Sequence, residues 1–313
     1  MLAFFLTRAG ARVSVYEKHT IGSGATGASM GVLIPFGFSR THTMATQQRT
    51  SLNMWAALGA DYPQLTYTRR SRLQLLFTAG QHAQAQADAA ASEGVQQLLS
   101  PEALQAQCPQ AAPAPYGALL CNATAQVHPQ QVLHALADLC RQNGAAIHEH
   151  TPVQRLDEVP ADIRILTTGA ATNSLWPDVG IRPYKGEALK LAAPGVELPY
   201  MLRSREGYIT ARDGHIWVGS TNAPDSGFDA TPTAAGRAEL LRIATTLCPA
   251  LADAEVIDHW AGLRPMAPKN SPLFRQLDGR TWLAAGHGKI GLCLAPAVAA
   301  GLTQALTVNS IAI

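Results

Sequence analysis

A short segment near the start of the sequence indicates the fold: Ala11-Arg12-Val13-Ser14-Val15-Tyr16-Glu17. Its apolar and polar residues alternate, which is typical of a β-strand, and the strand ends on an acidic residue. Residues 1–9 are mostly apolar and precede Gly10, so they are predicted to form a helix that ends at this glycine. A helix that leads into a strand is half of a βαβ unit.

In a dinucleotide-binding βαβ unit, the acid at the strand end accepts the ribose hydroxyls and lies about 20 residues after a G-x-G-x-x-G turn. Counting back from Glu17 passes Met1, so the first strand and its glycine turn are expected to be absent from this chain. A G-x-G-x-x-G pattern does occur at residues 22–27, but no acidic residue lies between Glu17 and Asp61 to act as the ribose acid for it. We therefore interpret residues 22–27 as a loop. The alternative interpretation of Glu17 is a surface acid at a strand end.

The composition indicates a globular chain with a large core. The chain has 313 residues, of which 47% are hydrophobic and 15% charged, against about 25% charged in an average soluble protein. This length allows one large or two medium domains. The formal net charge is +2, and no basic run is present to hold a phosphate backbone, so nucleic acid is not an expected partner.

The cysteines and the apolar segments of the sequence indicate the cellular compartment in which the protein is expected. The five cysteines are widely spaced and include no C-x-x-C pair, which favours reduced thiols in a cytoplasm over disulfides or a zinc site. No apolar run approaches the ~20 residues of a membrane span. The apolar start lacks a basic lead and a cleavage pattern, so no signal peptide is expected.

The secondary-structure pattern changes along the chain. Pro129 at a helix start, Asn143-Gly144 at its end and the strand pattern after it predict a helix-to-strand passage that suits a parallel sheet. Helices are predicted near 81–93 and from Ser100-Pro101-Glu102. Residues 181–221 instead contain short strand patterns separated by Gly, Pro and Asp213-Gly214, as in an antiparallel sheet.

Five blocks of sequence occur in the order found in one enzyme family. The first is Tyr16-Glu17-Lys18 followed by the glycine-rich loop 22–31, and the second is Val127-His128-Pro129. The others are 163–170, then 181–187 with 207–209 and 217–221, and lastly 261–265 with 285–291 and 295–296. Together they resemble the D-amino-acid oxidase superfamily of FAD-dependent oxidoreductases, and especially its glycine-oxidase-like members.

The resemblance implies an α/β fold. We expect a Rossmann-like FAD-binding domain, truncated at its N-terminus and formed by residues 1–40, 128–180 and 259–313. We expect the inserted substrate domain to be α+β, built on an antiparallel sheet and formed by residues 41–127 and 181–258.

The resemblance also implies site residues. FAD would be bound non-covalently, since no cysteine lies in 262–270 where related sarcosine oxidases attach flavin. The residues expected to contact FAD are Glu17, Lys18, Thr26, Gly27, Ala28, Ser29, Gly31, Val153, Thr168, Gly169, Gly286, His287, Gly288, Lys289, Ile290 and Gly291. Arg264 would bind the substrate carboxylate and Tyr208 would contact it, while a salt bridge and a core tyrosine are the alternative roles. No metal is expected, and His148-Glu149-His150 is interpreted as a strand end.

The implied reaction moves a hydride from the substrate Cα to flavin N5, after which the imine hydrolyses. The substrate would be a small amine or amino acid, and the oligomeric state is left open. Two alternatives remain at this point. One is a membrane-linked D-amino-acid dehydrogenase, because Gly262-Leu263-Arg264-Pro265-Met266 and Gly286-His287-Gly288 are similar to that branch too. The other is a truncated, catalytically inactive homologue with impaired flavin binding.

Overall fold

The computed structural model describes residues 1–35 and 42–309. This part of the chain contains eight α-helices: α1 Leu2–Arg8, α2 His42–Asp61, α3 Ala79–Ala90, α4 Pro101–Gln107, α5 Pro129–Gln142, α6 Thr172–Leu175, α7 Ala234–Leu247 and α8 Gly291–Asn309.

It also contains sixteen β-strands. They are β1 Ser14–Tyr16, β2 Val32–Leu33, β3 Thr68–Arg69, β4 Arg72–Leu75, β5 Gln96–Leu99, β6 Ala118–Cys121, β7 Ala125–Gln126, β8 Ala146–His148, β9 Arg164–Leu166, β10 Arg182–Ala192, β11 Met201–Arg203, β12 Tyr208–Arg212, β13 His215–Gly219, β14 Glu255–Met266, β15 Leu273–Gln276 and β16 Thr281–Ala285.

The chain divides into two compact units. Unit 1 comprises Met1–Thr68, Gln126–Tyr184 and Leu263–Ile313, and unit 2 comprises Arg69–Ala125 and Lys185–Gly262. The predicted domain boundary at 40/41 lies outside the described residues. Helix α2 belongs to unit 1 because it packs against α8. Strands β10 and β14 each run from one unit into the other.

Unit 1 contains the parallel strand pairs that the helix-to-strand pattern predicts. Strand β1 pairs in parallel with β8, and β9 pairs in parallel with β16, which pairs antiparallel with β15. Helix α5 has Pro129 in its first turn and buries a stripe at helical spacing, and its end is followed by Gly144 in the left-handed region at φ +83°. The predicted passage from this helix into β8 is confirmed, because its local signals are strong.

Unit 2 is built on one large sheet. The strand order is β14-β10-β13-β12-β11-β4-β6-β5. Neighbouring strands with registered pairs run antiparallel except β4 and β11, which are parallel. Since β4 and β11 come from different segments of the chain, no hairpin fixes their relative direction. The sheet is therefore mostly antiparallel, as predicted, with one parallel pair that makes it mixed.

One face of this sheet forms the core of unit 2. Leu73, Leu202, Ile209 and Val218 are fully buried there, and α7 packs on them through a buried apolar stripe. Because successive strand residues point to opposite faces, the alternate residues of the same strands lie on the other face.

Helix α8 differs from its prediction at Pro296. The sequence predicts Pro296 in the first helical turn, but α8 begins at Gly291 and Pro296 lies inside it. A proline there lacks an N–H for the carbonyl of Leu292 and its ring disturbs the preceding turn. Two side chains of α2 form the missing bonds: Trp55 Nε1 donates to the Leu292 carbonyl at 2.9 Å, and the Ala297 N–H donates to Ser51 Oγ at 3.2 Å.

Candidate active site

The predicted cofactor residues of unit 1 follow the carboxyl ends of parallel strands. Glu17 follows β1, Val153 lies in the loop after β8, Thr168 and Gly169 follow β9, and the turn 286–291 follows β16. In sheets with parallel strands, ligands bind at this edge, where loops are free to approach them. This placement fits a bound dinucleotide at the residues that the sequence predicts.

Glu17 is held by its own backbone at the end of β1. Its N–H donates to the carbonyl of His148 at 2.9 Å, and its carbonyl accepts from the N–H of Thr151 at 2.8 Å. One carboxylate oxygen accepts from the N–H of His19 at 2.9 Å, and Glu17 is half-buried while Lys18 is exposed. The carboxylate therefore has a fixed position at the edge where a ribose acid is expected.

Residues 22–31 form a loop, as predicted, and it consists of tight turns. The N–H of Ser29 donates to Thr26 O at 3.0 Å, and the N–H of Gly31 donates to Ser29 Oγ at 3.4 Å. Gly31 has φ +72°, and a side chain on Gly27 would overlap the carbonyl oxygen of Gly22. The predicted residues Thr26, Gly27, Ala28 and Ser29 lie together here, all half-buried.

Gln130 is a residue of this region that the sequence analysis did not identify. It lies in the first turn of α5, and its Nε2 donates to the carbonyl of Gly22 at 3.1 Å. A side chain on Gly22 or Gly27 would overlap the Gln130 amide. Gln130 therefore fixes the loop through two glycines, and the only sequence signal was its place beside Pro129.

The turn after β9 has open space at its glycine. Gly169 has φ +58°, and a side chain there would meet no atom within 4 Å. Its carbonyl accepts from Thr172 Oγ1 at 2.7 Å, and Thr168 Oγ1 donates to Thr172 Oγ1 at 3.2 Å. These bonds fix the turn while its outer side can accept a ligand. Val153, in the loop after β8, is half-buried.

The turn 286–291 connects β16 to α8 and includes two glycines in the left-handed region. Gly286 has φ +76° and Gly288 has φ +54°, and side chains there would press on Ala267 and Met266 respectively. The N–H of Gly288 donates to the carbonyl of Pro265 at 2.9 Å, and His287 forms a bridge with Met266. The turn is therefore bonded to the end of β14, directly after Arg264.

The pKa of His287, a titratable group of this turn, is strongly lowered. Burial lowers its pKa to about 4, so the imidazole is neutral at pH 7. Its ring lies 5.0 Å from the ring of Phe274 on β15. Lys289 is exposed and Ile290 half-buried, and Gly291 is the first residue of α8. The N-terminus of this helix carries partial positive charge, which would stabilise a nearby anion.

The two predicted catalytic residues lie on different strands. Arg264 is half-buried near the end of β14, two residues before the bridge of Met266 to His287. The structure thus brings Arg264 and the turn 286–291 together within unit 1. Tyr208 is the first residue of β12 in unit 2, half-buried and paired with Gly219 and Arg203.

His148 and Glu149, at the end of β8, contact residues of the segment that follows β1 and of β1 itself. The His148 ring stacks on Tyr16 at 4.9 Å, and Glu149 Oε1 accepts from the N–H of Ile21 at 2.6 Å. Among residues 1–35 and 42–309, no group of three or more His, Cys, Asp and Glu side chains is arranged to hold a metal ion. No helix in the same ranges is long and apolar enough to cross a membrane.

Comparison with known proteins identifies the family. Residues 1–305 match the family described as FAD dependent oxidoreductase (DAO). The chain belongs to this family, whose members use FAD.

Two curated relatives are glycine oxidases. The enzyme of Pseudomonas putida is 39% identical over 165 residues, a match that covers 50% of this chain and 45% of that protein. In this match the chain spans less than half of the relative's length. The enzyme of Bacillus licheniformis is 26% identical over 322 residues and covers 95% of this chain and 86% of that protein.

A solved structure agrees with these matches over most of the chain. The crystal structure of glycine oxidase from Geobacillus kaustophilus has a TM-score of 0.90 and 25% identity, covering 97% of this chain and 90% of that one. The mixed α/β fold with a large sheet is therefore the fold of this family.

Proposed function

We propose that this chain is an FAD-dependent oxidase of amines or amino acids, of the glycine oxidase type. The observation that carries the proposal is the bonding of the β14 end to the turn 286–288. It places Arg264 two residues before the bridge of Met266 to the turn that leads into the N-terminus of α8. Such an oxidation needs a cation that binds the substrate carboxylate. It also needs positive charge, as at a helix N-terminus, to stabilise the anionic reduced ring of the flavin.

Each residue has a stated role in this proposal. Arg264 binds the substrate carboxylate through two parallel N–H···O bonds, which orient the amine. Tyr208 has a hydroxyl that can donate a hydrogen bond to a carboxylate. His287 stays neutral and adds no charge to the site. When bound, FAD accepts the two electrons of the C–H bond that breaks.

The residues at the carboxyl ends of β1 and β9 would hold the cofactor. Glu17 accepts hydrogen bonds from the ribose, and the turn at Gly169 lets backbone approach the ligand closely. The loop 26–29, fixed by Gln130, supplies further backbone N–H groups. These contacts are non-covalent.

We also propose that the protein works in a reducing compartment such as the cytoplasm. All five cysteines are buried free thiols. Burial raises the pKa of the thiols of Cys108, Cys140, Cys248 and Cys293, which keeps them protonated and inert.

The proposal is tested on purified protein incubated with FAD. We expect a bound-flavin absorption spectrum and oxidation of at least one of glycine, N-methylglycine and D-alanine with release of hydrogen peroxide. Reduction of a quinone dye without peroxide would instead indicate the dehydrogenase alternative. No flavin spectrum, or no turnover with any amine tested, contradicts the proposal.

A variant pair then tests Arg264. Arg264→Met should raise KM for amino-acid substrates by about 10- to 100-fold, since bonds between charged partners are each worth about 1.5–3 kcal/mol. Arg275→Met, which removes an exposed arginine of β15, should leave KM unchanged. Equal effects of the two variants would contradict the assigned role.

A further inference from the structure

Strand β15 brings an aromatic ring to the turn 286–288 of unit 1. It is the edge strand of the three-stranded sheet β15-β16-β9, and Phe274 pairs in register with Ala284 of β16. Strand β16 leads directly into the turn at Gly286. This register places the centroid of the Phe274 ring 5.0 Å from that of the His287 ring, with an angle of 58° between the two planes.

The main chain of His287 is held by other elements of unit 1. It forms a β-bridge with Met266 at the end of β14, and its carbonyl accepts from the N–H of Ile290 at 3.1 Å. A side chain on Gly291, the first residue of α8, would lie 3.0 Å from the His287 Cβ. The backbone at His287 is therefore fixed, and Phe274 contacts the imidazole itself.

Phe274 covers the imidazole from a place near the surface. Its side chain is 37% exposed, whereas Leu273 beside it packs against the core of this sheet. A phenylalanine in such a place gains less from burial than a core residue does. Removal of the Phe274 ring should therefore admit water to the imidazole with little loss of overall stability.

The charged groups around His287 do not account for its neutral state. Strand β16 and helix α8 contain no charged residue, and burial keeps the thiol of Cys293 on α8 protonated by raising its pKa to about 12. Burial is also the cause of the lowered pKa of His287. The charged residues on the adjoining segments are the half-buried Arg264 and the exposed Lys269, Arg275, Asp278, Arg280 and Lys289.

We propose that Phe274 is a positioning residue of the FAD site, whose ring covers the His287 imidazole and keeps the turn 286–288 in the conformation that binds flavin. The inference rests on the proposed function, in which this turn contacts FAD. A neutral imidazole can remain against an apolar ring, whereas an imidazolium needs water or an anion. Without the Phe274 ring, protonation in mild acid draws the imidazole into water and displaces the turn.

The first experiment needs no flavin. The His287 imidazole is titrated by NMR in the FAD-free wild type and in Phe274→Ala, and His287→Gln identifies its signal among the ten histidines. The wild-type ring should titrate near pH 4, and Phe274→Ala should raise this pKa by about one unit or more, towards the ordinary 6.5. Phe274→Leu, which keeps an apolar side chain, should raise it less. Phe228→Ala, which removes an exposed phenylalanine of unit 2, is the control and should leave it unchanged.

The second experiment measures the FAD dissociation constant by flavin fluorescence at pH 5 and at pH 7.5. Where only the neutral imidazole permits binding, a pKa of about 5 in FAD-free Phe274→Ala makes the constant about 2-fold larger at pH 5. The wild-type pKa of about 4 changes the constant by only about 10%. Adding His287→Gln to Phe274→Ala should remove the extra pH dependence.

Two results would overturn the inference. One is a His287 pKa that Phe274→Ala leaves unchanged, and the other is an equal pH dependence of FAD binding in Phe274→Ala and the wild type. If neither protein binds FAD at any pH, the proposed function fails. The NMR titration then still decides whether Phe274 covers His287.

Discussion

The indole Nε1 of Trp55 donates a hydrogen bond to the carbonyl oxygen of Leu292 at 2.9 Å. The two residues are 237 positions apart in the sequence. Leu292 is the residue whose carbonyl would bond to the N–H at position 296 of an uninterrupted helix, and proline has none there. A fully buried tryptophan on α2 thereby makes the proline inside α8 tolerable.

Replacing this donor should destabilise unit 1. Trp55→Phe leaves the Leu292 carbonyl without the indole and removes ring volume, so the free energy of unfolding should fall by about 2–4 kcal/mol. Urea unfolding followed by circular dichroism measures the loss. In a Pro296→Ala background, residue 296 regains an N–H for Leu292, so the loss from Trp55→Phe should be smaller. Equal losses in both backgrounds would show that the bond does not compensate for the proline.

The Gln130 contact should affect cofactor binding. Gln130→Ala removes the bond to Gly22 and frees the loop 22–31, so the FAD dissociation constant should rise about 2- to 10-fold. Quenching of flavin fluorescence on titration gives this constant. Gln131→Ala, which changes the exposed neighbour, should bind FAD like the wild type. If both variants bind alike, the loop does not depend on Gln130.

Two glycines of the same loop should differ in tolerance. A Cβ on Gly27 overlaps the Gly22 carbonyl and the Gln130 amide, whereas a Cβ on Gly24 meets nothing within 4 Å. Gly27→Ala should therefore displace the loop and weaken FAD binding at least 10-fold, and Gly24→Ala should change it less than 2-fold. The titration used for Gln130 measures both, and a Gly24→Ala effect as large as that of Gly27→Ala would argue against tight packing at Gly27.

A buried carboxylate should contribute strongly to the stability of unit 2. Glu187, 3% exposed, accepts from the N–H and Oγ1 of Thr233, both at 2.9 Å, and lies 2.8 Å from His259 Nε2. Glu187→Ala leaves these groups without their acceptor, and we expect a loss of about 3–5 kcal/mol. Glu197→Ala, which changes an exposed acid, is the control for the urea midpoint.

His287 should make the stability of the cofactor-free chain depend on pH. Its folded pKa of about 4 lies below the ordinary value of 6.5, so between these values the unfolded chain binds a proton that the folded chain does not. The contribution of His287 to the free energy of unfolding is complete above pH 6.5 and is lost as the pH falls towards 4. His287→Gln should flatten the curve of unfolding free energy in this window, and parallel curves for the two proteins would contradict the assignment.

Local signals in the sequence were enough for much of the fold. The proline at the start of α5 and the glycine after it each depend on residues within a few positions. The bond of Trp55 to Leu292 joins segments 237 residues apart, and that of Gln130 to Gly22 joins segments 108 apart. No short pattern encodes such contacts, so the place of Pro296 was predicted wrongly and Gln130 was missed.

The pairing of β9 with β16 has a consequence for synthesis. Residues 164–166 leave the ribosome well before residues 281–285, and all of Lys185–Gly262 is made in between. At the usual rate of about 5–20 residues per second, β9 waits several seconds or more for this partner. Strands β4 to β6 and β11 to β13 can pair during that delay. Unit 2 can therefore be nearly finished on the ribosome while one edge of β9 still needs protection from other nascent chains.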